Sequence, residues 1–104
     1  MNDDVELTIL VDLCKSELGA SEVWLFGSRA RGDARPGSDW DILAVIPDDA
    51  PEDIDEPENT FRVKRKSNLL VDLLTVRASD FAEARDTVNT ISHAAASHGI
   101  RLDI

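Results

Sequence analysis

Apolar residues recur along the chain at two different spacings, and these spacings predict its helices and strands. Residues 5–18 carry apolar side chains at helical spacing and are followed by a glycine, which predicts a first helix. The runs 22–26, 40–46 and 69–76 are short, apolar and rich in β-branched or aromatic residues, as expected of strands. Residues 40–46 are apolar on both faces, which favours a central strand covered on each side. Residues 28–31 predict a short helical turn.

The remaining segments differ from one another in the structure that their patterns predict. Residues 47–60 are predicted to form an acidic loop, whose stretch 48–58 contains two prolines and lacks the residue pattern of a calcium-binding loop. Residues 61–66 alternate weakly and fit either an edge strand or a short helix. The segment 79–99 predicts one helix whose apolar stripe consists of Phe81, Ala84, Val88, Ile91 and Ala95. The tail 100–104 fits a last short strand. We therefore expect one α+β domain over residues 1–104, with a mixed sheet of three to five strands and helices packed on one face.

Composition narrows the classes of function. With 21 acidic and 11 basic residues, the chain carries a net charge of −10, which argues against direct binding to DNA or RNA. No apolar run approaches the roughly 20 residues that span a bilayer, and the first residues lack the basic segment of a signal peptide. Cys14 is the single cysteine, which excludes an internal disulfide. These features predict a cytoplasmic protein that does not bind membranes.

Asp39 and Asp41 stand at the start of the apolar run 40–46. Side chains alternate along a strand, so these two carboxylates share one face while Trp40 points to the other. Two carboxylates on one face repel each other unless something bridges them. Mg²⁺ prefers oxygen ligands and keeps places for phosphate oxygens, so it is the expected bridging ion.

Asp72 lies between apolar residues in the predicted strand 69–76. If this strand is adjacent to the strand of Asp41, three carboxylates converge and suit two Mg²⁺ ions in phosphoryl or nucleotidyl transfer. The alternative is an ion pair between Asp72 and Arg62 or Lys64.

Gly27 and Ser28 follow the first predicted strand. A glycine lets a phosphate approach the backbone, and the Ser28 hydroxyl with nearby N–H groups can hold a phosphate oxygen. An ordinary strand-to-helix turn explains the same pair of residues. The segment is neither a P-loop nor a dinucleotide-binding fingerprint.

A longer pattern contains all of these residues except Asp72. The run G-S-R-A-R-G at 27–32, followed after five residues by S-D-W-D-I at 38–42, resembles the signature of the DNA polymerase β-like nucleotidyltransferase superfamily. It is most similar to the minimal nucleotidyltransferases, also called MNT or MntA-type antitoxins, with Ile42 where their pattern has leucine. The resemblance covers roughly residues 5–102, although residues 47–66 match no recognisable part of it.

The resemblance implies a role for each matched position. Asp39 and Asp41 would ligate two Mg²⁺ ions, and Asp72 would complete the catalytic metal site and help to deprotonate the attacking hydroxyl. Gly27 and Ser28 would hold the β- and γ-phosphates of ATP. Arg29 would neutralise phosphate charge. Ser38, grouped with these nucleotide-binding residues, would cap or orient the start of its strand.

The fold implied is the polymerase β-like palm, and the function implied is transfer of AMP from ATP to a hydroxyl. In the minimal family the acceptor is typically a tyrosine of a helical HEPN ribonuclease toxin, which the antitoxin thereby silences. Two alternatives remain open: a binding module that silences its partner by occlusion alone, or a small-molecule nucleotidyltransferase of the aminoglycoside-modifying type that acts as a homodimer. From the residues themselves, we expect Arg31 to be structural and paired with an acid near Asp33.

Overall fold

The computed structural model describes residues 3–103. In chain order its elements are α1 (Asp3–Leu18), β1 (Glu22–Phe26), α2 (Ser28–Arg31), β2 (Trp40–Ile46), α3 (Pro57–Ser67), β3 (Val71–Arg77), α4 (Ala78–Ala84), α5 (Ile91–His98) and β4 (Ile100–Arg101). The four strands form one mixed sheet in the order β3-β2-β1-β4. Strands β2 and β3 are parallel, whereas β1 pairs antiparallel with both β2 and β4. The predicted α+β fold with a mixed sheet is therefore confirmed, including the central position of β2.

Helices cover both faces of this sheet, which corrects the expectation that they pack on one face. Ile42, Ala44 and Ile46 of β2 join a core with α1 and α3. Leu43 and Val45 point the other way and join a second core with α4 and α5. The alternation of side chains along β2 thus explains why its sequence is apolar at every position from 42 to 46.

Two segments differ from their predicted secondary structure. Helix α3 takes up residues 57–60 of the predicted loop together with residues 61–66, so the option of an edge strand there is wrong. The single helix predicted over 79–99 is two helices, and Val88 of its predicted apolar stripe is 68% exposed. The short strand predicted in the tail is present as β4. Within the described part of the chain, no helix has the length and apolar character needed to cross a membrane.

Candidate active site

Two of the predicted carboxylates are neighbours across the junction of β2 and β3. The parallel register pairs Asp41 with Asp72. Residues paired in a ladder point to the same face of the sheet, so both side chains lie on the face that α4 and α5 cover further along. The alternative ion pairs of Asp72 are not formed: across residues 3–103, no arginine or lysine lies within salt-bridge distance of Asp72.

Asp39 is exposed and directly precedes β2, two residues before Asp41. The Trp40 N–H donates a hydrogen bond to the Leu70 carbonyl at 2.9 Å. This bond holds the start of β2 beside Leu70, the residue that precedes β3. In residues 3–103, however, no three His, Cys, Asp or Glu side chains form a group compact enough to hold a metal ion as they stand. The backbone places the three aspartates at adjacent positions, but their side chains do not form one compact set of ligands.

The charges of these aspartates affect one another. The pKa of Asp41 is raised by burial, by the charge of Asp72 and by the charge of Asp39, whereas the charge of Arg31 acts in the opposite direction. Desolvation and like charges both disfavour an ionised carboxylate. Asp41 thus lies in a local excess of negative charge, which a bound cation would relieve.

Gly27 lies directly beside the Asp41 carboxylate. Its backbone has φ 75° and ψ −156°, a region that is essentially restricted to glycine. A Cβ at this position would collide with Asp41 Oδ2 and lie 3.0 Å from Asp41 Cγ. The glycine therefore permits both the sharp turn after β1 and the close approach of the carboxylate.

Ser28 begins α2, a single helical turn. The turn closes with bonds from the Arg31 N–H to the Gly27 carbonyl and from the Gly32 N–H to the Ser28 carbonyl, at 3.1 and 3.0 Å. The leading N–H groups of any helical turn lack an acceptor one turn earlier. Ser28 directly follows Gly27, which lies against the Asp41 carboxylate, and offers a hydroxyl and backbone N–H groups of the kind that bind anions.

Arg29 and Ser38 contact each other. The Arg29 guanidinium donates two hydrogen bonds to the Ser38 carbonyl, from Nε at 3.0 Å and from Nη2 at 2.8 Å. It also lies over the Trp40 ring, 4.1 Å from the centroid. The Ser38 hydroxyl accepts a hydrogen bond from the Arg35 N–H at 3.1 Å and so helps to shape the turn before β2. Sequence reasoning missed this arrangement, although the aromatic residue between the two aspartates was a signal for it.

Other basic residues have contacts away from the carboxylates. Arg31 pairs with Asp33 at 3.2 Å, which confirms the predicted pairing, and both side chains are largely exposed. On α3, Arg62 donates to Asn59 Oδ1, and Lys66 pairs with Glu17 of α1 at 2.7 Å. These α3 contacts tie the helix to itself and to α1 on the far face of the sheet.

Comparison with known proteins agrees with this geometry. The family described as the nucleotidyltransferase domain matches residues 7–93, a range that contains Gly27, Ser28 and all three aspartates. The chain belongs to this nucleotidyltransferase family. A search among curated proteins found no match.

Two solved structures share the fold. A crystal structure of a toxin-antitoxin with AMP-PNP superposes with a TM-score of 0.61 at 19% identity, over 90% of this chain and 69% of the other. A protein from Sulfolobus solfataricus, described as a nucleotidyltransferase, superposes with a TM-score of 0.55 at 22% identity, over 95% of this chain and 76% of the other. At these identities the likeness establishes the fold of the nucleotidyltransferase domain.

Proposed function

We propose that this nucleotidyltransferase transfers AMP from ATP to a hydroxyl of a partner toxin, in a reaction that requires Mg²⁺. The observation that carries the proposal is the register of β2 and β3, which sets Asp41 beside Asp72 while Gly27 lies against the Asp41 carboxylate. A site that binds ATP for group transfer uses both features together: carboxylates that bind cations, and backbone without a side chain where the phosphates approach.

The residues fit a magnesium site in chemistry. All three candidates are carboxylates, the ligand type that Mg²⁺ prefers, and Asp41 is surrounded by like charge. Asp39 and Asp41 would hold two ions, with Asp72 as a further ligand of one of them. When bound, the ions would neutralise phosphate charge and orient the triphosphate. Asp39 and Asp72 are exposed, and within residues 3–103 neither forms a salt bridge that would hold it away from Asp41.

The chain's own groups account for the rest of the transfer. Gly27 and Ser28 would hold the β- and γ-phosphates through the backbone and the serine hydroxyl. The acceptor oxygen then forms a bond to the α-phosphorus of ATP as the bond from that phosphorus to the bridging oxygen of the β-phosphate breaks. Pyrophosphate leaves, and the acceptor proton passes to the Asp72 carboxylate, which is exposed and therefore open to an approaching hydroxyl.

A protein acceptor fits the open surroundings of the carboxylates. The cavity beside the start of β2, of about 420 Å³, includes Arg29, Ser38, Trp40 and Leu70 in its lining but none of the three aspartates. Asp39 and Asp72 are exposed, and another chain would supply the walls around the acceptor. The similarity to a toxin-antitoxin structure containing AMP-PNP supports a toxin as that chain. From the resemblance to minimal nucleotidyltransferases, we propose a tyrosine of a HEPN-type toxin as the acceptor.

The test is transfer of label from α-³²P-ATP to the product of the neighbouring gene in the presence of Mg²⁺. Wild-type protein should label the partner, and Asp41→Asn should not, because it removes one carboxylate from the site. Asp86→Asn, which neutralises an exposed aspartate after α4, is the matched control and should label normally.

Binding and protection should be measured in parallel. If Asp41→Asn binds the toxin and protects cells as well as wild type does, the protein acts by occlusion and the proposed transfer is wrong. If label appears only on added hydroxylated small molecules, the acceptor is not a protein.

A further inference from the structure

Arg29 links two segments of the candidate site, residues 27–28 and residues 39–41. It belongs to α2, directly after Ser28, and its guanidinium binds the carbonyl of Ser38, the residue immediately before Asp39. Two N–H donors of the planar guanidinium converge on this one carbonyl oxygen, which holds the oxygen near the guanidinium plane. The Arg29 side chain thus links the two ends of the segment that runs from Ser28 to Asp39.

The position of the guanidinium separates it from the carboxylate face. Trp40 and Asp41 are consecutive strand residues and point to opposite faces of the sheet. The Trp40 ring packs against the core formed with α1 and α3, and Arg29 lies over that ring. Contact with an aromatic face adds a cation–π attraction that holds the guanidinium in place. In this arrangement Arg29 is directed towards the strand start rather than towards phosphates beside Asp41.

The segment 32–38 needs such a tie. Gly32 and Gly37 both have positive φ angles, and nothing lies within 4 Å of the place where a Cβ would be, so the turn packs loosely at these points. Its other bonds are internal, as from the Ser38 N–H to the Arg35 carbonyl, or reach only its neighbours in α2: the Asp33 N–H bonds the Ser28 carbonyl, and the exposed Asp33 side chain pairs with Arg31. Within residues 3–103, Arg29 is the side chain that joins α2 to the residue before Asp39.

We infer that Arg29 is a positioning residue, which fixes Asp39 and the start of β2 relative to Gly27 and Ser28. The inference rests on the proposed function for its consequence in catalysis, but its structural part stands separately. It assigns to Arg29 the task of setting the distance between these two segments, whereas the sequence resemblance suggested that Arg29 neutralises phosphate charge.

Two substitutions separate these roles. Arg29→Met keeps an apolar contact with Trp40 but removes every donor, and Arg29→Lys keeps the charge but loses the planar fork. Arg85→Met is the matched control, since the Arg85 guanidinium also lies over an aromatic ring, that of Phe81, which belongs to the core on the other face of the sheet from Trp40.

The first measurement is amide hydrogen exchange in metal-free, nucleotide-free protein. Both Arg29 variants should exchange residues 33–39 about tenfold or more faster than wild type, with α1 and β1 unchanged, because only the local opening equilibrium is altered. Arg85→Met should leave this segment as in wild type. Unchanged exchange in both Arg29 variants would overturn the inference, whether or not the protein transfers AMP.

The second measurement is the split between kcat and KM for ATP in the labelling assay. Misplaced ligands should lower kcat by roughly 10- to 100-fold in both variants, with KM for ATP altered by less than about threefold. If instead KM rises in Arg29→Met and is restored in Arg29→Lys, the charge itself contacts the nucleotide and the inference is wrong. Absence of transfer by wild type would refute the proposed function, while the exchange experiment would still decide the role of Arg29.

Discussion

Gly27 is required for two separate physical reasons. Its φ and ψ angles are accessible essentially to glycine alone, and the Asp41 carboxylate occupies the space that a side chain would need. We predict that Gly27→Ala lowers the free energy of unfolding by about 1–3 kcal/mol and displaces Asp41, so that nucleotidyl transfer is lost. Chemical denaturation and the labelling assay would measure the two effects.

Gly37→Ala is the control for backbone strain alone. Gly37 also has a positive φ angle, of 85°, but no atom lies within 4 Å of its would-be Cβ. This variant should lose some stability and leave Asp41 in place. Equal losses of stability in the two alanine variants would show that the collision with Asp41 does not affect the free energy of unfolding.

Asp41 should stabilise the protein only when a cation is present. Its raised pKa, which is due to burial and then to Asp72 and Asp39, means that its ionised form costs folding free energy at neutral pH. We therefore predict that Asp41→Asn has a higher Tm than wild type in EDTA. At Mg²⁺ about 100-fold above its Kd, wild type should gain about 2.7 kcal/mol and the variant should gain much less. Thermal denaturation with and without Mg²⁺ measures both differences.

Asp86→Asn, on the exposed segment after α4, controls for the general effect of removing one negative charge from an acidic protein. It should respond to Mg²⁺ as wild type does. A wild-type Tm that is indifferent to Mg²⁺ would contradict the proposed metal site. A lower Tm for Asp41→Asn than for wild type in EDTA would contradict the electrostatic cost.

At the scale of elements, the break between α4 and α5 depends on local capping. Asn89 has a positive φ of 72°, which ends any continuous helix, and Thr90 caps α5 by accepting a hydrogen bond from the His93 N–H at 3.0 Å. The Thr90 hydroxyl also donates towards the Ala84 carbonyl at the end of α4, at 2.8 Å. We predict that Thr90→Ala destabilises the protein by about 1 kcal/mol, as measured by urea denaturation.

Thr90→Ser retains the hydroxyl and is expected to lie within about 0.5 kcal/mol of wild type. If the serine and alanine variants are equally destabilised, the methyl group rather than the cap accounts for the effect. The apolar stripe from Phe81 to Ala95 predicted one helix because its spacing is helical throughout. Spacing alone does not register a left-handed residue such as Asn89 or a cap that starts a second helix.

Helix α3 shows the same limit of periodicity. Apolar and polar side chains alternate weakly over residues 61–66, so that the helical period and the strand period fit this short run about equally. The structure buries Val63 and Ser67, which lie four residues apart on one helical face, and Pro57 occupies the first turn, where its missing N–H costs nothing. Packing against α1 decides in favour of the helix.

At the scale of the whole molecule, the Asp103 carboxylate adds a side-chain link between the C-terminal segment and β1 to the backbone pairing of β4 with β1. The Asp103 side chain is 4% exposed, pairs with Arg101 at 2.8 Å and accepts a hydrogen bond from the Val23 N–H of β1 at 3.2 Å. The hydrogen bond and charge of Arg101 and the bond from Val23 hold the pKa of Asp103 below its usual value, against the effect of burial. Asp103 thus links the C-terminal segment to β1.

This lowered pKa fixes the sign of the pH dependence. A carboxylate with a depressed folded-state pKa contributes its stabilisation fully above its unfolded pKa of about 3.9, and loses it as the pH falls through the folded value. We predict that Asp103→Asn lowers the free energy of unfolding by about 1–3 kcal/mol at pH 7. The difference from wild type should shrink progressively below about pH 4, as measured by denaturation at several pH values.

Asp33→Asn is a suitable comparison, because Asp33 also pairs with an arginine but its side chain is 62% exposed. Exposed pairs contribute at most about 1 kcal/mol, so this variant should change stability little at any pH. A pH-independent difference for Asp103→Asn would show that the charge of Asp103 does not stabilise the fold.

The sequence by itself determined the strands, the mixed α+β sheet and the family, because β-strand patterns and the spacing from Gly27 to Asp41 are local properties of the chain. It also placed Asp39 and Asp41 on one face, since alternation follows from strand geometry. Only the tertiary structure decided that β3 lies parallel to β2 with Asp72 opposite Asp41, that helices cover both faces, and that Arg29 holds the carbonyl before Asp39. Strand register, layer assignment and side-chain direction depend on contacts between residues distant in sequence, which periodicity does not encode.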